Sequence, residues 1–181
     1  MKKERPVKKT EVKPPPSLQK RYINVYLCLG SNMGDRKENL RLAYHSIDKN
    51  IGKVARKSHL YETEAWGNIK QDPFYNQIIM VNTTLQPREL LDMIARIERD
   101  LGRVKTEKWG PRTIDIDILF YGKRVIRDKG LEIPHPELHK RAFVLAPMLE
   151  IAPDLEHPVL KIPIDQLYLD CKDTSEVVQL D

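Results

Sequence analysis

The chain has 181 residues, 40% of them hydrophobic and 31% charged, which suits one globular domain with a real core. No apolar run approaches the roughly 20 residues needed to span a bilayer. The two cysteines, Cys28 and Cys171, are far apart and form no disulfide framework, and the N-terminus lacks the apolar stretch of a secretory signal. A cytoplasmic protein with no membrane partner is expected.

The net charge of +5 raises the question of nucleic acid. Residues 1–21 hold eight Lys or Arg and two Glu, whereas the remainder holds 23 basic against 24 acidic residues. The basicity therefore belongs to a tail, which also carries Pro14, Pro15 and Pro16 and has little apolar surface to bury. Residues 1–21 are expected to be a disordered, proline-rich extension and 22–181 the folded domain.

In chain order, Ile23 to Leu29 reads as a strand, with Val25, Leu27 and Leu29 alternating against Asn24, Tyr26 and Cys28. The turn-rich stretch from Gly30 to Gly34 follows. Asp35 and Glu38 have capping-box spacing, Leu40, Tyr44, Ile47 and Ile51 recur at helical spacing, and Gly52 is placed to end the helix. Val54 to Glu62 reads as one strand, Ala65 to Pro73 as a polar loop, and Gln77 to Leu85 as a strand rich in β-formers. Pro87 fits the first turn of a second helix, with Leu90, Leu91, Ile94, Ile97 and Leu101 on its buried face and Gly102 as its cap. A basic loop, Arg103 to Arg112, leads into an alternating strand from Thr113 to Tyr121. Gly122 and Lys123 suggest a turn into a partner strand around Val125. The rest is broken by prolines, with short helices expected near Leu138 and Leu167. The order strand, helix, strand, strand, helix, strand predicts an α+β fold: a ferredoxin-like, three-layer α/β/α sandwich with an antiparallel sheet.

Asp115 and Asp117 carry the sharpest chemistry. Two residues apart on a strand, they share a face about 6.6 Å apart, with Ile114, Ile116 and Ile118 on the other. Neighbouring carboxylates repel unless a proton or a cation intervenes, and a small oxygen set suits Mg²⁺ completed by phosphate oxygens. In isolation, such a pair reads first as a solvent-facing stripe on a half-exposed strand. The preceding loop shifts the balance, because Arg103, Lys105, Lys108 and Arg112 surround Trp109 and supply the cations a polyphosphate needs. No P-loop or protein-kinase motif is present. His135 and His139 are four apart, but Pro136 intervenes and no third soft ligand accompanies them, so zinc is not expected.

The string Trp109-Gly110-Pro111-Arg112-Thr113-Ile114-Asp115-Ile116-Asp117, with Arg103-Val104-Lys105 before it, resembles the hallmark of the 6-hydroxymethyl-7,8-dihydropterin pyrophosphokinase family. Gly30-Ser31-Asn32, Thr63 with Trp66-Gly67, Phe74 with Asn76, and Ile133-Pro134-His135-Pro136 with Arg141 and Phe143 add to it. The likeness runs from about Ile23 to Pro158. It implies transfer of pyrophosphate from ATP to 6-hydroxymethyl-7,8-dihydropterin, giving AMP and the pterin diphosphate of folate biosynthesis. It implies two Mg²⁺ ions on Asp115 and Asp117, and catalytic roles for these and for Arg103 and Arg112. ATP contacts are implied for Glu98, Arg103, Lys105, Arg112, Ile118, His135 and Arg141. Pterin contacts are implied for Asn32, Thr63, Trp66, Phe74, Asn76, Trp109 and Phe143, although the two phenylalanines alone would read as core. Ala65, Tyr75, Lys105 and Lys108 depart from the usual pattern. A monomer without specific nucleic-acid partners is expected. The other readings are an RNA-binding module of the same topology and an inactive scaffold.

Overall fold

The computed structural model describes residues 21–65, 71–104 and 110–180. The expected tail, apart from Arg21, lies outside these residues, as do Trp66, Lys105, Lys108 and Trp109.

The main sheet is antiparallel throughout. Strand β1 (Ile23–Ser31) lies between β4 (Phe74–Thr83) and β5 (Asp115–Tyr121). On its far side β4 pairs with both β2 (Gly52–Lys57) and β3 (Leu60–Thr63). This is the order 4-1-3-2 of a ferredoxin-like fold, once β2 and β3 are counted as one interrupted strand. Helices α1 (Arg36–Asn50) and α2 (Pro87–Asp100) cover one face, where Leu40, Ile47, Leu90 and Ile94 meet Val25, Leu27, Leu29 and Val81. Helices α3 (Ala142–Ile151) and α4 (Ile164–Leu169) cover the other, where Leu145, Met148 and Leu167 meet Tyr26, Cys28, Ile78 and Phe120. The two apolar layers explain why β1 is buried on both faces.

Local chemistry accounts for the element ends. The Asp35 carboxylate accepts the Glu38 amide at 3.0 Å and caps α1. Glu38 does not return the bond: its carboxylate takes Arg41 instead, at 2.6 and 2.7 Å. Pro87 opens α2, and the Glu89 carboxylate accepts the Gln86 amide at 2.7 Å. Gly52 is required by close approach rather than by the helix end, since a Cβ there would lie 2.2 Å from the Asn82 carbonyl oxygen.

Several sequence expectations are corrected. The single strand Val54 to Glu62 is two strands, because the Ser58 hydroxyl accepts the Ile78 amide at 3.0 Å in place of a backbone carbonyl. The adjoining His59 amide turns out to the Glu150 carboxylate, 2.9 Å away. The alternation of β5 breaks at a bulge: Tyr26 pairs with Phe120 but Leu27 with Ile118, leaving Leu119 unmatched. The residues near Val125 do not join β5. They lead to β6 (Ile126–Asp128), which pairs with β7 (Leu131–Ile133) as a separate hairpin. Helix α3 and strand β8 (Val177–Leu180), which extends the sheet beyond β3, were not expected. Near Leu138 there is one turn of 3₁₀ helix.

Candidate active site

The acidic end of β5 faces the α3/α4 side of the sheet. Asp115 lies opposite Gly30 and Asp117 opposite Cys28, both on β1, while Ile114, Ile116 and Ile118 pack into the α1/α2 layer. Both carboxylates line a cavity of about 250 Å³. Burial, with Asp115 as a like-charged neighbour, pushes Asp117 up to about 6, against the pull of Arg141, Arg112 and Arg103. A carboxylate driven that far up is one that a bound cation would relieve.

Three arginines converge on this pair, and the chain places each differently. Helix α2 ends in a Schellman turn: the Gly102 amide donates to Arg99 O at 3.0 Å and the Arg103 amide to Glu98 O at 2.9 Å, with Gly102 at φ 85°. That turn delivers the Arg103 guanidinium to the Glu98 carboxylate and to Asp115, 2.8 Å away. Glu98 in turn accepts the Ile116 amide at 2.8 Å, tying the end of α2 to the acidic strand. Burial raises Glu98 above the usual carboxylate range, moderated by Arg103 and the Ile116 bond. Arg112 pairs with Asp115, and its amide donates to the Asn32 side-chain oxygen at 2.7 Å. Arg141, at the start of α3, lines the cavity directly.

The rest of the lining mixes aromatic and polar groups. Phe74 and Phe143 belong to it with Thr63, Asn76, Cys28 and Gly30. The Asn76 side-chain amide donates to the Thr63 hydroxyl at 2.8 Å, which orients its oxygen. Gly30 keeps the floor open: a Cβ there would stand 3.1 Å from that oxygen and 3.7 Å from the Phe74 ring. His135 also lines the cavity, and its amide donates at 3.0 Å to the carbonyl of Leu119, the bulged residue of β5. Burial and the Arg141 charge lower the His135 pKa, so it is neutral at pH 7. One cavity thus combines a carboxylate pair and a cluster of cations with an aromatic slot that has an amide at its edge.

Residues 26–153 match the family model for 7,8-dihydro-6-hydroxymethylpterin-pyrophosphokinase. The chain belongs to this family. It is 44% identical over 142 residues to the 2-amino-4-hydroxy-6-hydroxymethyldihydropteridine pyrophosphokinase of Aquifex aeolicus, covering 78% of this chain and 88% of that protein. The enzyme of the same name from Bacillus subtilis is 39% identical over 142 residues, covering 78% and 85%. The fold is similar to that of Plasmodium falciparum HPPK-DHPS in its A437G form with pteroate, with a TM-score of 0.70 at 20% identity over 85% of this chain and 44% of that one. The protein is accordingly a pyrophosphokinase of folate biosynthesis that uses ATP as co-substrate to modify a hydroxymethyl pterin.

The structure brings most of the residues implied by the family resemblance together. Thr63, Phe74, Asn76, Arg112, Asp115, Asp117, His135, Arg141 and Phe143 share the cavity, and Arg103 and Glu98 adjoin it through Asp115. Asn32 and Ile118 do not line it. Asn32 is 2% exposed, and its amide nitrogen donates to Gln71 Oε1 at 3.0 Å and Asp72 O at 3.2 Å while its oxygen holds Arg112, so it serves as a strut between loops. The Ile118 side chain is buried in the α1/α2 layer. Cys28, Glu64, Gln71 and Gly110 line the cavity without having been assigned a contact there. Cys28 and Gly30 reach it only through pairing with β5, information that their own sequence neighbourhood does not carry.

Proposed function

We propose that the acidic rim is the phosphate and metal end of the site and the aromatic slot is the pterin end. The observation that supports this reading is that one cavity is lined by Asp115 and Asp117 on β5, by Phe74 and Asn76 on β4 across the intervening β1, and by Phe143. The donor set fits magnesium: two carboxylates on one face, one of them held well above its ordinary value, with room left for phosphate oxygens. Asp115 and Asp117 would hold two such ions, whose positive charge would offset the negative charge of the ATP phosphates. Among the described residues no group of three or more His, Cys, Asp or Glu is placed to hold a metal ion by protein ligands alone.

Arg103 and Arg112 both pair with Asp115. A polyphosphate is a richer acceptor for guanidinium groups than a single carboxylate, so it draws both toward its oxygens and leaves the carboxylates to cations. Arg141 and neutral His135 add donors at the same rim. Phe74 and Phe143 sandwich the flat pterin, and the Asn76 amide meets its donor–acceptor edge. Catalysis on this reading is positioning and charge stabilisation: the slot presents the pterin hydroxymethyl oxygen to the β-phosphorus, and the arginines take the charge that develops as AMP departs. Ile118, Lys105, Trp66 and Trp109 retain their family-implied contacts as proposals, and Asn32 acts through the loops that it joins.

We place the enzyme in the cytoplasm as a monomer; among the described residues no helix is long and apolar enough to cross a membrane. Residues 1–21 are proposed to be an appendage separate from the domain 22–181. The deciding experiment is AMP formation from ATP with magnesium, with and without 6-hydroxymethyl-7,8-dihydropterin. Pterin-dependent AMP without ADP is expected, lost in Asp115→Ala and kept when residues 1–21 are removed. Folded wild-type protein that yields no AMP would overturn the assignment of the rim and slot.

A further inference from the structure

Behind the aromatic slot, on the opposite face of the sheet, lies a compact arrangement around Arg36, the first residue of α1. Its Nη1 donates to Glu62 Oε2 at 3.1 Å and to the Pro73 carbonyl oxygen at 2.7 Å. The guanidinium also lies over the Tyr75 ring, 3.7 Å from its centre. Glu62 and Tyr75 are direct cross-strand partners on β3 and β4. Three groups from two strands and the preceding turn are therefore gripped by one planar cation, whose side chain is 23% exposed.

The period-two alternation of strands turns this grip into a statement about the slot. Thr63 follows Glu62, and Phe74 lies between Pro73 and Tyr75, with Asn76 next. Thr63 and Phe74 are the neighbouring cross-strand pair, on the face away from Arg36, and both line the cavity with Asn76. Each slot residue on β3 and β4 is thus bonded in sequence to a residue held by Arg36. We propose that Arg36 is a positioning residue for the pterin subsite: by clamping Glu62, Pro73 and Tyr75 from behind, it fixes the height of Phe74 and the spacing of Thr63 and Asn76 in front. It touches no substrate. The proposal rests on the reading of this slot as the pterin end of the site.

A clamp acting on one subsite predicts a selective loss. Arg36→Met keeps the length and packing of the stem but removes the charge, both hydrogen bonds and the cation–π contact. Pterin binding, titrated in the presence of a non-hydrolysable ATP analogue, is expected to weaken about tenfold, the scale of one desolvated cation–π contact with its hydrogen bonds. The Kd for the nucleotide analogue and kcat at saturating pterin are expected to stay within about twofold, since the acidic rim is untouched. Tyr75→Leu retains the ion pair and is expected to show a smaller loss of the same selectivity. The double variant is expected to be no worse than Arg36→Met alone, because the ring acts through the guanidinium. Should Arg36→Met fail to fold, Tyr75→Leu with Glu62→Gln reads the same clamp from two of its three other ends. An unchanged pterin Kd, or equal losses for pterin and nucleotide, would overturn the clamp. Wild-type protein that binds nucleotide but no pterin would overturn both the clamp and the slot assignment, and that outcome appears before any substitution is made.

Discussion

Replacing Asp117 by asparagine in the metal-free protein is expected to stabilise the fold while destroying its activity. The carboxyl moves from an ordinary value of 3.8 to about 6 on folding, through burial and the neighbouring Asp115. A raised carboxyl binds its proton more tightly in the folded chain, so its contribution to stability is complete below about pH 4 and is lost as pH rises through 6. At pH 8 the ionised group costs about 3 kcal/mol, from a shift of roughly two units at 1.36 kcal/mol each. Asparagine has the same shape and no charge to bury, so Asp117→Asn escapes that cost. For a chain of this size, about 2–4 °C per kcal/mol puts the gain in Tm near 6–12 °C at pH 8. The assay is thermal unfolding of both proteins in chelator, from pH 4 to 8. The two Tm curves are expected to converge toward pH 4, to draw apart between about pH 4 and 6 and to run level with each other above that, and added magnesium is expected to narrow the gap by stabilising only the wild type. Parallel curves across the whole range would refute the reasoning, because they would mean that Asp117 ionises in the fold as easily as in the unfolded chain.

Other outcomes follow from the same geometry. Asp115→Ala is expected to lower pterin-dependent AMP formation by about 100-fold or more, the scale of losing one preorganised electrostatic group, as measured by turnover at saturating substrates. Gly52→Ala drives a Cβ to within 2.2 Å of the Asn82 carbonyl oxygen and is expected to cost several kcal/mol, about 3, in urea unfolding. Thr83 is fully buried, donates to the Ile51 carbonyl at 2.7 Å and accepts the Leu85 amide at 3.1 Å; Thr83→Val is expected to cost about 1–3 kcal/mol by the same measurement. Filling the cavity floor with Gly30→Ala is expected to raise the pterin KM more than the ATP KM, since the new methyl faces Asn76 and Phe74.

The elements that could be read from sequence were those whose signals are local. Asp35 announces α1 by capping it, Pro87 announces α2, and the apolar stripe of α2 stands out because its other face meets water. Helix α3 gave no such stripe: Ala142, Val144, Leu145, Pro147, Met148 and Ile151 are all buried, and Pro147 inside it reads as a helix breaker. The interruption at Ser58 depends on a hydroxyl replacing a carbonyl across the sheet, and the β5 bulge on pairing with β1; neither has a signature in its own strand. In the site, the carboxylate pair and Arg112 were legible because strand spacing and charge alone suggest their partnership. Arg36 was not. Its partners lie 26, 37 and 39 positions away in sequence, and only the sheet brings them under one guanidinium.

The bulge at Leu119 has a consequence for how the chain finds its pairing. On one strand, Asp115 and Asp117 must face the site, while Phe120 fills the α3/α4 layer and Tyr121 the α1/α2 layer. A slip of β5 by one residue would turn both acids into the apolar layer beneath α1 and α2, where neither arginine nor water awaits them. The residues that make the strand chemically useful thereby guard its alignment: misregistered chains carry two stranded charges, and selection for activity doubles as selection against misfolding.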